Sequence, residues 1–188
     1  MNLIVHINGW PGSGKLTIAR LLAEQLDARL IDNHTLINPA ECLFARDDPH
    51  YQPMRKAVRT LAFDYALRLP LHVPIVLTDA LADITSDQEI FDSCRGLADR
   101  RAARLVSVVL DCNVEENFRR SISPGRADLF KLTDTGILKH LRASYQLLRP
   151  AGIERFELDV SNLSANEAAM AVFEHCMQAP CSLKTKGE

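Results

Sequence analysis

Leu3-Ile4-Val5-His6-Ile7-Asn8-Gly9-Trp10-Pro11-Gly12-Ser13-Gly14-Lys15-Leu16-Thr17 is the stretch on which the reading of this chain turns. Leu3 to Asn8 is a short apolar run, the signature of a buried strand. From Gly14 to Leu26 the apolar residues Ile18, Leu21, Leu22 and Leu26 recur at helical spacing. Between strand and helix stands Gly9-x-x-x-x-Gly14-Lys15. Glycines in such a turn let successive backbone amides point into one concavity that accepts an anion. The helix N-terminus adds its partial positive charge. Lys15 adds a full and movable charge suited to the β and γ phosphates of a nucleotide. A plain glycine turn would explain Gly12 and Gly14 but not a lysine at its mouth. Gly9, Trp10, Pro11, Gly12, Ser13, Gly14, Lys15, Leu16 and Thr17 are therefore read as a loop for the phosphates of ATP.

One position departs from the motif. The residue after the lysine is usually Ser or Thr, whose hydroxyl ligates magnesium; here it is Leu16, followed by Thr17. Leu16 cannot bind a metal. Thr17 is expected to face an α or β phosphate, and Mg2+ is expected to be held by the nucleotide, water and a carboxylate elsewhere.

The bulk properties bound the rest. The chain has 188 residues, a length that suits one domain with a substantial core. Apolar residues make up 47% and charged residues 24%, with a net charge of −2, so nothing calls for nucleic acid or an anionic membrane. Cys42, Cys94, Cys112, Cys176 and Cys181 form no C-x-x-C pair, which argues against a disulfide framework or zinc site and for reduced thiols. The N-terminus reads as structure rather than a signal peptide, no apolar run approaches a membrane span, and the expected compartment is the cytoplasm.

Outward from the loop, strands and helices alternate. Ala28 to Ile31, Val73 to Thr78, Arg104 to Leu110 and Gly152 to Leu158 read as further strands. Helical patterns run from Tyr51 to Leu69, from the capping box Ser86-Asp87-Gln88-Glu89 to about Arg101, from Asn113, from Thr133-Asp134 to Leu148, and from the capping box Ser164-Ala165-Asn166-Glu167 to about Met177. Alternation of this kind makes βαβ crossovers, hence an α/β fold with a parallel sheet between two helical layers. Such sheets bind ligands beyond the carboxyl ends of their strands, where Asn8, Asp32, Asp79 and Asp111 all fall. One domain over 1–179 and a polar tail over 180–188 are expected.

The loop, its Gly-Lys-x-Thr order and this layout resemble the nucleoside-monophosphate kinase-like branch of the P-loop kinases, which includes adenylate, shikimate and gluconate kinases. The resemblance implies a three-layer P-loop fold with five parallel strands in the order 2-3-1-4-5. It also implies an acceptor region after strand two and an arginine-bearing lid after strand four. The lid would be about 115–132, with Arg119, Arg120 and Arg126, followed by Lys131, closing over the transferred phosphate. The other reading of these cations is a solvated basic helix end.

After strand two, Asp32 has two readings: the carboxylate that orients or deprotonates an acceptor alcohol, or a strand-end turn residue. His34 beside it is a weaker candidate. Asp79 resembles the carboxylate that ends a second nucleotide-binding strand and holds magnesium through water; its other reading is a cap. Arg55 and Arg59, one helical turn apart, suit an acidic substrate group, but the expected setting is a solvated face. Trp10 either touches the nucleotide base or fills space against the lid. The Asp159–Asn162 loop corresponds to the place where related kinases cradle adenine.

The function so implied is transfer of the γ-phosphate of ATP to a hydroxyl of a small-molecule acceptor. A nucleoside-monophosphate kinase ranks second, because no base-reading signature is present. A non-catalytic ATP-binding or resistance module is the third reading, kept open by Leu16. A regulatory GTPase is excluded by the missing Asn-Lys-x-Asp string.

Overall fold

The computed structural model describes residues 1–122 and 134–178. Arg126, Lys131, the far part of the 115–132 segment and the 180–188 tail lie outside them. Five strands form one parallel sheet in the order β2-β3-β1-β4-β5: β1 Leu3–Gly9, β2 Arg29–Ile31, β3 Ile75–Asp79, β4 Arg104–Asp111 and β5 Glu154–Asp159. The helices are α1 Lys15–Leu26, α2 Asn33–Glu41, α3 Tyr51–Ala66, α4 Thr85–Arg101, α5 Val114–Ser121, α6 Thr135–Ser144 and α7 Ala165–Met177. The expected three-layer P-loop fold and strand order are those of the structure. Among the described residues no helix is long and apolar enough to cross a membrane.

The two faces of the sheet follow from the period of two along each strand. Leu3, Val5 and Ile7 of β1 pack with Ile18 and Leu22 of α1 and with Ala168 and Val172 of α7. Ile4 points to the opposite layer, where Ile75 and Leu77 of β3 meet Leu36 of α2, Phe63 of α3 and Leu97 of α4. Further along the same face β1 carries His6 and Asn8, both buried. Polar groups there need partners. The amide of Asn8 donates to the carbonyls of Leu81 (2.9 Å) and Leu148 (3.2 Å) and accepts from Leu81 N (2.7 Å), which ties β1 to two distant loops.

Helix starts and stops depart from the sequence reading in instructive ways. The segment after β2 is the helix α2, with Asp32 as its N-cap accepting from His34 N and Thr35 N. The Ser86 capping box does not form. Helix α4 begins at Thr85 without a side-chain cap, and Asp87 instead accepts from Ala82 N at 2.7 Å. Helix α6 ends at Ser144 rather than Leu148, because the chain beyond it pairs with the β3–α4 connection: Asp83 N to Gln146 O (2.8 Å) and Leu148 N to Leu81 O (3.0 Å). Such long-range partners are invisible to a local pattern. The Ser164–Glu167 capping box forms in full, as its spacing requires.

Arg101, at the end of α4, is buried and donates to the carbonyls of Ala66, Leu69, Pro70 and Val73. It thereby ties the end of α4 to the carboxyl end of α3 and to the connection that follows it. Arg101→Met keeps the apolar stem and removes the donors. It is expected to lower stability by roughly 2–4 kcal/mol in urea denaturation.

Candidate functional site

The phosphate loop closes between β1 and α1. Ser13 N donates to Trp10 O at 3.1 Å, and Gly12 and Gly14 adopt φ of 88° and 86°, values open to glycine and strained for other residues. Gly9 is required for space: a Cβ there would lie 2.7 Å from the carbonyl oxygen of Leu110 in β4. Helix α1 has no side-chain cap, whereas α2, α5, α6 and α7 are capped by Asp32, Asn113, Asp134 and Ser164. Its first amides are therefore available to an anion. Lys15 Nζ donates to Trp10 O at 3.2 Å, which folds the ammonium back over the loop. The donor set fits a polyphosphate.

The outer side of the loop is fastened by residues that sequence reasoning did not single out. Asn117 of α5 is fully buried and donates to Pro11 O at 2.8 Å. Its carbonyl accepts from Arg142 of α6 at 3.0 Å, and Arg142 also reaches Asp111 Oδ1 (3.2 Å) and Cys112 O (3.0 Å). The Arg142 guanidinium carbon sits 5.8 Å from the centre of the Trp10 ring. Trp10 itself is buried with Val109, Leu138 and Leu147. An asparagine midway along a short charged helix was the available signal for Asn117; for Arg142 none was present locally.

The expected lid arginines separate. Arg119 points to solvent and pairs with Glu116 at 2.6 Å. Arg120 is half-buried and donates to Ser13 O (3.4 Å) and Val160 O (2.8 Å), joining the loop to the segment after β5. Hydrogen bonding from Arg119, joined by Arg120, holds the Glu116 carboxyl down at about 2. Arg126 lies outside the described residues.

A cavity of about 750 Å³ opens in front of the loop. One wall is the loop, with Lys15, Leu16 and Thr17. The facing wall is Asp32, Asn33 and His34 at the start of α2 with Tyr51, Gln52 and Arg55 of α3, and Asp134, Ile137 and Leu141 close a third side. Asp32 is both a cap and a cavity residue. Its Oδ1 accepts from His34 N (3.0 Å) and Thr35 N (3.4 Å) and its Oδ2 from the Thr35 hydroxyl (2.8 Å). A carboxylate offers about four acceptor sites, so Oδ2 keeps one for a further donor.

Asp79 is placed otherwise than a metal carboxylate would be. It is buried and does not line the cavity. Arg59 grips it through Nη2 to Oδ1 (2.7 Å) and Nη1 to Oδ2 (3.3 Å), and His6 Nε2 lies 3.1 Å from Oδ2. Arg59, expected on a solvated face, is thus buried, and Arg55 lines the cavity. With Leu16 apolar, Thr17 exposed and Asp79 fully engaged, these residues do not fit direct coordination of magnesium by the protein.

Burial pushes the Asp79 carboxyl up, but the Arg59 guanidinium and the His6 imidazole outweigh burial and bring it from 3.8 to about 2. A depressed folded-state value stabilises the fold above the unfolded value and is lost as pH falls through the folded one. The contribution is therefore full above about pH 4 and lost toward about pH 2. Arg59→Leu leaves the carboxylate buried without its cation and is expected to cost about 3–5 kcal/mol at neutral pH. Replacing both residues with Leu should restore much of it. Urea midpoints for wild type and both variants, taken between neutral and acid pH, check this; the acid decline attributed to Asp79 should be missing from the double variant.

No protein-family model matches the chain, and no curated protein matches it. Solved structures do. An unliganded sugar kinase from a Janibacter species is 19% identical with a TM-score of 0.66, covering 96% of this chain and 97% of that one. The APS kinase of Mycobacterium tuberculosis, in complex with AMPPNP and APS, is 19% identical with a TM-score of 0.61, covering 94% and 98%. The tunicamycin resistance protein of Deinococcus radiodurans is 16% identical with a TM-score of 0.61, covering 95% and 98%. At these identities the likeness is one of fold, and the fold is that of P-loop kinases.

Proposed function

We propose that this chain is an ATP-dependent phosphotransferase that moves the γ-phosphate to a hydroxyl of a small-molecule acceptor. The observation that carries the reading is the shared cavity: the phosphate loop with Lys15 forms one wall and Asp32 faces the same space from another. Phosphoryl transfer needs little covalent participation from the protein. It needs the two reactants held in line and the charge on the moving phosphate neutralised. The uncapped start of α1 and the Lys15 ammonium supply that neutralisation. The free acceptor site on Asp32 Oδ2 suits the acceptor hydroxyl. The O–H bond breaks, its oxygen bonds to phosphorus, the bond from phosphorus to the ADP oxygen breaks, and the proton passes to Asp32 or to water.

Magnesium accompanies nucleotide in such chemistry and neutralises phosphate charge; here it would be held by nucleotide and water, since Leu16 has no ligating oxygen and the Asp79 carboxylate is taken by Arg59 and His6. Arg120 braces the loop, and we assign Arg119 no contact with substrate. A reducing, cytoplasmic setting suits the free thiols of Cys42, Cys94, Cys112 and Cys176. The second reading is an ATP-dependent binder or resistance factor. Leu16 favours it, and a resistance protein shares the fold. Transfer of labelled γ-phosphate in a single turnover separates the two.

Lys15→Ala is expected to abolish that transfer and weaken ATP binding while changing stability within roughly 0.5 kcal/mol. Full transfer by this variant would sink the phosphotransferase reading. Asp32→Asn isolates the chemistry of Asp32, because asparagine caps helices as well as aspartate does. With a hydroxyl acceptor, kcat is expected to fall about 100-fold or more while ATP affinity and melting temperature hold. An unchanged kcat would remove Asp32 from the reaction.

A further inference from the structure

The sheet ends on two unequal edges. β2 is three residues long, whereas β5 runs for six and pairs only with β4. Val160 N donates to Asp111 O at 2.8 Å, continuing the register of the Asp111–Asp159 pair. In a parallel ladder the residues that bond the neighbouring strand alternate. Glu154, Phe156 and Leu158 therefore turn their amides and carbonyls to β4, and Arg155 and Glu157 turn theirs outward. An outward row of this kind is a template for another strand. Among the described residues no strand takes it.

The side chains say which strand fits. Arg155, Glu157 and Asp159 share one face of β5 and are exposed, while Phe156 and Leu158 pack on the opposite face against the core of α1 and α7. Charge on an edge ordinarily blocks pairing. This row differs because its sign reverses about Phe156. Laid antiparallel on a copy of itself about that residue, β5 sets each Arg155 opposite a Glu157. These are the two positions with outward backbone groups, so each pair exchanges two backbone hydrogen bonds and brings opposite charges together. Phe156 then faces its counterpart on the other side of the sheet, stacked on its own His175 with ring centres 4.5 Å apart. Centring the pair on Arg155 or on Glu157 instead sets like charge on like, so the charges select one register. Within one chain Arg155 Nε donates to Glu157 Oε1 at 2.8 Å, and Arg149 Nε donates to Glu157 Oε2 at 2.9 Å. Exposed ion pairs of this kind contribute little, so exchanging Arg155 for that of a second copy costs little.

We propose that β5 is the interface of a homodimer, in which two copies pair antiparallel about Phe156 and join their five-stranded sheets into one. The contact is isologous and closes at two copies. The occupant is a second copy because the strand is complementary to itself in charge. The inference does not rest on the kinase reading, since neither Arg155 nor Glu157 lines the cavity.

The experiment is sedimentation velocity on the full chain. A single-strand contact is small, so the dimer is expected to assemble over about 1–200 µM rather than at nanomolar concentration. Arg155→Glu and Glu157→Arg each set like charges opposite one another and are expected to weaken self-association about 10-fold or more. An equimolar mixture of the two variants restores opposite charges across the axis and should associate as the wild type does. The chain carrying both reversals should also self-associate, which guards against a folding defect in either single variant. A wild type that stays monomeric throughout that range would overturn the proposal. So would a dimer indifferent to both single reversals, or a mixture and a double variant that remain monomeric.

Discussion

The grip of Arg59 on Asp79 is the interaction on which the far side of the cavity depends. Asp79 ends β3, beside the central strand, and Arg59 reaches it from α3, so the pair pins that helix to the carboxyl edge of the sheet. Buried charges are costly to desolvate, and the pair is tolerable because both carboxylate oxygens are bonded and His6 adds a third donor. Pinning α3 at position 59 sets where position 55 stands one turn earlier. The wall that faces the phosphate loop therefore inherits its geometry from a charge pair that never meets the ligand.

The phosphate loop follows the opposite plan. Its outer side is tied down at Pro11 by Asn117 and at Ser13 by Arg120, while its inner side keeps the uncapped start of α1. Donors aimed at an anion repel one another and stay converged only when the backbone behind them is restrained, the preorganisation that phosphate binding exploits. The Asn117–Arg142–Asp111 network does that restraining. It also joins α5 to α6, so the two described elements flanking 123–133 are coupled through the loop they serve.

Electrostatics divides the cavity between these walls. Lys15 stands on the wall formed by the glycine loop, and Arg55 and Arg46 line the cavity with Asp32. The carboxylate that could have complemented magnesium is instead spent on α3. Leu16 has no ligating oxygen and the Asp79 carboxylate is engaged by Arg59 and His6, so neither position offers a free oxygen to a metal.

Much of this was legible locally. The strand, glycine turn, lysine and helix lie within one continuous stretch, and each depends on neighbours a few residues away. The Ser164–Glu167 capping box formed for the same reason, whereas the equally regular Ser86–Glu89 spacing did not, because α4 starts at Thr85 with Ile84 as its N-cap and so takes Ser86 into its first turn. The resemblance to P-loop kinases carried the strand order. What the sequence determined by itself was the glycine loop between strand and helix, the alternation of strands and helices, and the rim where polar residues gather. What only the tertiary structure decided was the duty of each residue on that rim. Asp32 and Asp79 both end strands, yet one faces the cavity and the other the interior. Arg55 and Arg59 are separated by about 6 Å of helical rise and about 40° of turn, and that difference sends one to a ligand wall and the other to Asp79. The Asp79 partner of Arg59 lies 20 residues away in the chain, and no periodicity encodes a contact that exists only once the sheet has closed.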